Sequence, residues 1–283
     1  MKKEIKIKIE RVIKMIHSTA IIHKSAQIAD GVEIGPNVII GENVKLESGV
    51  KIIANAYLEF CEIGEGTVIS PFASIGTPPQ DLGYKNESTK VIVGKNCLIK
   101  ENVTINRAAN AGDLTTRIGN KCLLMVGSHI AHNCQLADEV ILANLVTLGG
   151  HVHVGFGAFI GGMSVFHQNI RIGELAIISG FSAARQDVLP YSKGEGRPPY
   201  PQGLNVVALK RRGVSQEERT RTNEAFKLLI SAEYNTSQAI EKIKAEIPTN
   251  QYIEKMIEFI QSSKRGVTLK CHKTGFRRLE EGD

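Results

Sequence analysis

Bulky apolar residues return along this chain at every sixth position. From Ile118 the beat falls on Leu124, Ile130, Leu136, Leu142, Leu148, Val154, Ile160, Phe166, Ile172 and Ile178 without a slip. Four residues after each beat stands a small or β-branched residue in most hexads, among them Cys122, Ser128, Cys134, Val140 and Val146. An earlier run beats at Ile22, Ile28, Ile34, Ile40, Leu46, Ile52 and Leu58, slips by one residue to Ile63, Ile69 and Ile75, and resumes at Val93, Ile99 and Ile105. A period of six fits neither a helix of 3.6 residues per turn nor a long alternating strand. It fits a solenoid of short strands joined by tight turns, a parallel β-helix in which three hexads close one triangular coil. The beat and the residue four later point inward, and glycine after the beat, as in "IGP", "VGK" and "IGN", is expected where the turn needs positive φ. The beats predict eight coils, stacked about 4.8 Å apart like strands of any sheet.

The period breaks at residues 77–90, "TPPQDLGYKNESTK", and at 107–117, "RAANAGDLTTR"; both are expected to loop out and to be natural places for ligand contacts. After residue 197 helical signals replace it. "RPPYPQG" reads as a linker, and Ser215 to Glu218 as a capping box opening a helix to about Tyr234. Thr236 is expected to cap a second helix through Ile247, and a third should span about Asn250 to Ser263. The organisation expected is a basic N-terminal extension at 1–14, a β-helix at 15–197, and a C-terminal helical domain with a basic tail at 198–283.

The short motif "GSHIAHNC" tests these assignments. His129, His132 and Cys134 could be read as zinc ligands, but Cys134 takes the small inward slot, as do Cys61, Cys97 and Cys122, while His132 faces out. The triplet cannot converge, and no metal is expected. Residues eighteen apart share a column, so His132, Gly150 and Gln168 stack along one edge, with His151 and His167 one column to either side and His129 beside them. Solvated surface histidines have no reason to gather in this way.

The net charge of +6 is concentrated at the ends: residues 1–14 and 198–283 each carry a net +4. Such ends suit an acidic partner or a phosphate-bearing ligand, and "LKRRG" at 209–213 sets three cations side by side, either as a solvated helix end or as a phosphate or acidic-partner site. No aromatic–basic interleaving favours nucleic acid. No apolar run is long enough to span a membrane, the first residues lack the features of a signal peptide, and five unpaired cysteines suit a reducing cytoplasmic setting.

"PFASIGTPPQDLGY", "TRIGNKCLLMVGSHIAHNC", "GGMSVFHQNIRIG", "AARQDVLPY" and "LNVVALKRRG" occur here in the order of a known family. Over about residues 15–265 the chain resembles the UDP-N-acetylglucosamine O-acyltransferases that begin lipid A synthesis, which makes Met15 the expected first residue. The resemblance implies a mainly β fold: a left-handed parallel β-helix of hexapeptide repeats followed by a C-terminal α-helical domain. It also implies transfer of a 3-hydroxyacyl chain from acyl carrier protein to the 3-hydroxyl of UDP-N-acetylglucosamine, without a cofactor, by a homotrimer. His132 then matches the general base, a role suited to an imidazole, which ordinarily titrates near pH ~6.5. The Gly150 N–H matches the oxyanion donor. Gln80, Asp81, His129, His151, His167 and Gln168 match substrate-positioning residues. Asn205, Arg211 and Arg212 match the nucleotide-binding end, supplied by a neighbouring subunit, and Gly180 matches the position that limits acyl length. Three departures stand out: Gly83 where lysine is common, with Lys85 nearby; Asn133 where aspartate often orients the base; and Val207 where a glutamate is expected near the uracil. The rival readings are the N-acyltransferase of the same pathway, which usually carries an extra N-terminal domain, a zinc carbonic anhydrase on the same fold, and a non-enzymatic β-helix scaffold.

Overall fold

The computed structural model describes residues 16–109 and 114–270, so the basic extension, Met15 and Cys271 lie outside the described residues. Each hexad contributes one strand of two to four residues, and every strand pairs in parallel with the third strand along the chain. Three sheets result, the faces of a left-handed triangular β-helix. Face 1 contains Ile21–Ile22 and, further up, His129–Ile130, Thr147–Leu148 and Val165–Phe166. Face 2 contains Gln135–Leu136, His153–Val154 and Arg171–Ile172. Face 3 contains Ile141–Leu142, Phe159–Ile160 and Ile177–Ile178.

The beats point inward as expected. Leu124, Ile130, Leu142, Leu148 and Ile160 are each 0% exposed, and Cys61, Cys97, Cys122 and Cys134 are buried among them. Burying an aliphatic side chain of this size contributes about 1.5–3 kcal/mol. One such residue per hexad, with a small one beside it, fills the triangle without overpacking.

Two details differ from the sequence reading. Each face carries nine strands of the winding chain rather than eight, because the period continues through Ala183–Ala184, Asp187–Val188 and Ser192–Glu195, where the residues on the beat are too small or too irregular to mark it. The glycines after the beat also answer a different need. All but Gly76, with a φ of 87°, lack positive φ; a Cβ on Gly35 would lie 1.7 Å from the Ile53 carbonyl oxygen, and one on Gly155 would lie 2.5 Å from the Glu174 nitrogen. They allow one coil to approach the next, while positive φ falls at the corners on residues such as Asn37, Asn55, Asn102 and Asn133. Asparagine tolerates that conformation better than most side chains.

The two breaks do loop out, between Ser74–Thr77 and Lys90–Val93 and between Thr104–Asn106 and Thr115–Ile118. The expected linker is instead the turn and second strand of a hairpin, in which Tyr200–Leu204 pairs antiparallel with Ser192–Glu195 and closes face 3. Four helices follow: α1 (Val206–Arg211), α2 (Gln216–Ile230), α3 (Thr236–Glu246) and α4 (Gln251–Gln261). Ser215 and Glu218 form the expected capping box on α2, which stops at Ile230 rather than Tyr234. Asn235, not Thr236, caps α3, and its side chain pairs with Gln238 in a second capping box. The helices bury Phe226, Leu229, Ile243 and Met256 against Leu189, Tyr191 and Leu204 from the end of the solenoid. Val267–Thr268 returns to add a tenth strand to face 2, beside Asp187–Val188.

The inward and outward alternation predicts unequal costs at neighbouring positions. Leu46→Ala, at a fully buried beat, should destabilise by about 2–5 kcal/mol. Lys45→Ala, on the exposed side of the same strand, should stay within about 0.5 kcal/mol. Denaturant midpoints of the two variants check this.

Candidate active site

Three columns of corners run along the solenoid. The first, between faces 1 and 2, stacks His132 under Gly150 and Gly150 under Gln168. The His151 N–H donates to the His132 carbonyl at 3.0 Å, and the Asn169 N–H donates to that of Gly150 at 3.0 Å. At this corner the chain turns through Asn133, which has a φ of 60°.

Asn133 fixes the ring of His132. Its side chain is buried and meets the backbone of Ala109 in the second loop twice: Oδ1 accepts from the Ala109 N–H at 2.9 Å, and Nδ2 donates to the Ala109 carbonyl at 3.5 Å. This pairing settles which way the amide points. Oδ1 also lies 2.9 Å from His132 Nδ1. A carbonyl oxygen can only accept, so Nδ1 carries the proton and Nε2 is left with its lone pair facing outward. Asn133 thus fills the orienting position that its residue type put in question. It does so as a neutral dipole, without the charge that would offset an imidazolium.

The imidazoles cluster as the column count implied. His151 meets His132 edge to face, with ring centroids 5.2 Å apart. His129 is half-buried and shares a 2.7 Å hydrogen bond with the Thr104 hydroxyl. Burial, and then the nearby His132, lower the pKa of His129. Burial also lowers that of His151, with His132 and His153 adding to the effect and Asp81 opposing it. Both therefore favour the neutral form beside His132. Cys134 turns inward, its thiol 3.1 Å from the Gly149 carbonyl. Among the described residues, no three His, Cys, Asp or Glu side chains are placed to hold a metal ion.

Gly150 is where the site needs glycine most. A Cβ there would lie 2.6 Å from both Cε1 and Nε2 of His132, because the ring lies across the glycine. Among the described residues its N–H meets no protein acceptor. Gly149 and Gly150 stand between His132 in the coil below and His167 and Gln168 in the coil above.

Gln80 and Asp81 are exposed on the first loop, where the Gly83 N–H donates to Asp81 Oδ1 at 2.8 Å. The residue that holds this loop escaped the sequence reading. Arg107 is 7% exposed and donates to the Tyr84 hydroxyl at 3.0 Å, to Glu59 at 3.0 Å and to the Gly76 carbonyl at 2.7 Å. Its guanidinium also lies over the rings of Phe60 and Tyr84. A single arginine at the edge of a break in the period gives no sign that it ties the other break down.

The remaining expected residues lie at other corners. Arg212 pairs with Glu139 and lies over Phe156, 4.7 Å from the ring centroid, at the second corner, between faces 2 and 3. Arg211 is exposed beside it on α1. Asn205 is buried as the N-cap of that helix: Oδ1 accepts from the Ala208 N–H at 3.2 Å, and Nδ2 donates to the Leu175 carbonyl at 2.7 Å. Its side chain is thus occupied in presenting the arginines. Gly180 lies at the third corner, between faces 3 and 1. Within one chain the histidines, the arginines and Gly180 do not meet.

A β-helix with an imidazole cluster at one corner and a cationic helix at the next defines a hexapeptide-repeat protein equipped for acyl transfer. Residues 187–268 match the family described as UDP-N-acetylglucosamine O-acyltransferase, domain 2, and residues 16–109 match the GMPPB C-terminal domain. A Thermodesulfovibrio yellowstonii protein named acyl-(acyl-carrier-protein)–UDP-N-acetylglucosamine O-acyltransferase is 46% identical over 206 residues, 73% of this chain and 80% of that relative. A solved structure of LpxA from Acinetobacter baumannii superposes with a TM-score of 0.86 at 39% identity, covering 90% of this chain and 99% of the other. A UDP-N-acetylglucosamine acyltransferase from Bacteroides fragilis superposes at 0.80 with 36% identity, covering 89% and 99%. The chain belongs to the UDP-N-acetylglucosamine O-acyltransferase family.

The contact between Gly150 and the His132 ring generates a direct test. Gly150→Ala should push the His132 ring aside and lower turnover by about 10–100-fold, the scale of an ångström-sized misplacement. The melting temperature should stay within a few degrees, because the added methyl points away from the core. Steady-state kinetics and a thermal melt read the two effects separately.

Proposed function

We propose that the first corner is the acyl-transfer centre of this enzyme, which moves a 3-hydroxyacyl chain from acyl carrier protein to the 3-hydroxyl of UDP-N-acetylglucosamine, the opening step of lipid A synthesis. The observation that carries this reading is the outward lone pair of His132 Nε2, set by the proton that Nδ1 gives to Asn133. A sugar hydroxyl is a poor nucleophile until a base removes its proton. Nε2 takes that proton as the oxygen attacks the thioester carbonyl, and the C–S bond breaks from the tetrahedral adduct. The imidazolium then returns the proton to the departing thiolate. The Gly150 N–H meets the oxyanion, stabilising charge that exists only in the adduct.

Gln80, Asp81, His129, His151, His167 and Gln168 position the sugar nucleotide beside His132. Arg211 and Arg212 suit its diphosphate, since a guanidinium matches phosphate oxygens in charge and geometry. Asn205 enters as the cap that fixes their helix. The acyl chain follows the outward side of face 1 from His132 towards Gly180.

Because the arginines occupy another corner, one chain cannot surround one substrate. This supports a homotrimer, in which each site draws its nucleotide end from a neighbour. Exposed apolar residues at the third corner support it too. Phe72, Leu145, Met163 and Phe181 are each 49–61% exposed. All four have left-handed φ of 57–63°, an uncommon conformation for bulky residues. A second copy that covers the ridge removes the hydrophobic cost. No helix among the described residues is long and apolar enough to cross a membrane.

His132→Ala should lower kcat by about 10²–10⁴-fold with the fold intact. Mixing that variant with Arg211→Ala/Arg212→Ala chains should restore part of the activity, because some mixed trimers then hold one complete site. A mixture no more active than its parts would place base and arginines in the same chain's site. Gly180→Met should move preference towards shorter acyl donors, since a methylene is worth about 1–3 kcal/mol in an apolar slot. Assays across donor lengths read this directly, and unchanged selectivity would put the chain elsewhere.

A further inference from the structure

The segment after α4 reaches back to the first corner. Ser263 Oγ donates to Asp187 Oδ2 at 2.9 Å, and the Asp187 N–H donates to the Gly266 carbonyl at 2.9 Å. Val267–Thr268 then joins face 2. Asp187 is 1% exposed and is held in turn by Arg171, whose Nε donates to it at 2.8 Å. Arg171 also donates to Ser262 Oγ and to the Phe259 carbonyl at the end of α4. Arg265 therefore stands between two anchored points, although its side chain is exposed. Its Nη2 lies 2.9 Å from Nδ1 of His167.

The same Nδ1 lies 3.1 Å from the carbonyl oxygen of Gln168. A guanidinium can only donate and a carbonyl can only accept, so the ring nitrogen can satisfy one of them but not both. A bare Nδ1 accepts from Arg265; a protonated Nδ1 would donate to Gln168 and face a cation. The charge-assisted bond is the stronger and here the shorter.

We propose that Arg265 is a positioning residue of the active site, which holds His167 as the tautomer with a bare Nδ1 and a proton on Nε2. This rests on the reading of the first corner as the acyl-transfer centre. His167 then offers a hydrogen-bond donor to an acceptor oxygen of the bound sugar nucleotide. On the other side of Gly149 and Gly150, His132 offers the opposite face, a bare Nε2. The two imidazoles on either side of these glycines carry opposite tautomers because each has a different partner at Nδ1: a carbonyl oxygen below, a guanidinium above. The C-terminal segment, outside the solenoid, thereby sets the chemistry of a residue on it.

Nitrogen NMR of the full-length chain labelled at histidine tests this, with His167→Gln used to assign the resonance. The native ring should show a pyridine-type Nδ1 and a pyrrole-type Nε2. In Arg265→Met the two should exchange character as Nδ1–H turns to the Gln168 carbonyl. The KM for UDP-N-acetylglucosamine should rise about tenfold, the scale of one hydrogen bond, with kcat little changed. Arg265→Lys, which keeps a donor, should recover most of the loss. In a His167→Ala background, Arg265→Met should add nothing further. An unchanged tautomer in Arg265→Met, or an equal KM penalty with and without His167, overturns the proposal. A native chain with the stated tautomer but no transfer activity would instead remove the assigned function and leave the Arg265–His167 pairing in place.

Discussion

Register between coils governs this molecule. Each coil places three strands and three corners, and hydrogen bonds such as Ile141 N–H to the Ala158 carbonyl at 2.9 Å hold each residue against its counterpart in the next coil. A shift of one residue would turn every inward side chain out. The apolar interior of Leu142, Leu148 and Ile160 and the ladder of backbone bonds therefore enforce one another. Residues far apart in sequence become fixed neighbours on a rigid edge, which is what a catalytic group needs if it is to hold its angle.

The first corner uses this rigidity to place hydrogen-bonding groups rather than charges. Asn133 directs His132 through a neutral carbonyl, and burial favours neutral His129 and His151. Glycine is required at residue 150 by the ring lying across it, a steric reason that stands beside any use of its N–H. The loops add what the solenoid alone lacks. Ala109 locks the amide of Asn133, and Arg107 ties the loop of Gln80 and Asp81 to Glu59 and Gly76.

The three corners of one coil differ sharply in chemistry. Imidazoles occupy the first, a cationic helix the second, and an exposed apolar ridge beside Gly180 the third. Whole faces of the solenoid separate these three chemistries within one chain.

The sequence by itself determined the solenoid, because an inward beat of one bulky residue per hexad is a periodic signal that few local exceptions can hide. It also determined that Cys134 turns in while His132 turns out, and that His132, Gly150 and Gln168 share a column, since these follow from counting in sixes and eighteens. It lost the ninth coil where the beats shrink to Ala184 and Gly194, and it read the hairpin at 192–204 as a linker because antiparallel pairing leaves no mark in that count. Only the tertiary structure decided which proton each histidine holds, through Asn133 for His132 and Arg265 for His167. Only it showed Asn205 as a cap and Arg107 as the anchor of a loop 23 residues back at Tyr84. Apart from the neighbours His132 and Asn133, these contacts involve segments that lie outside the repeat, where direction and distance depend on how the chain returns to the solenoid and on no period within it.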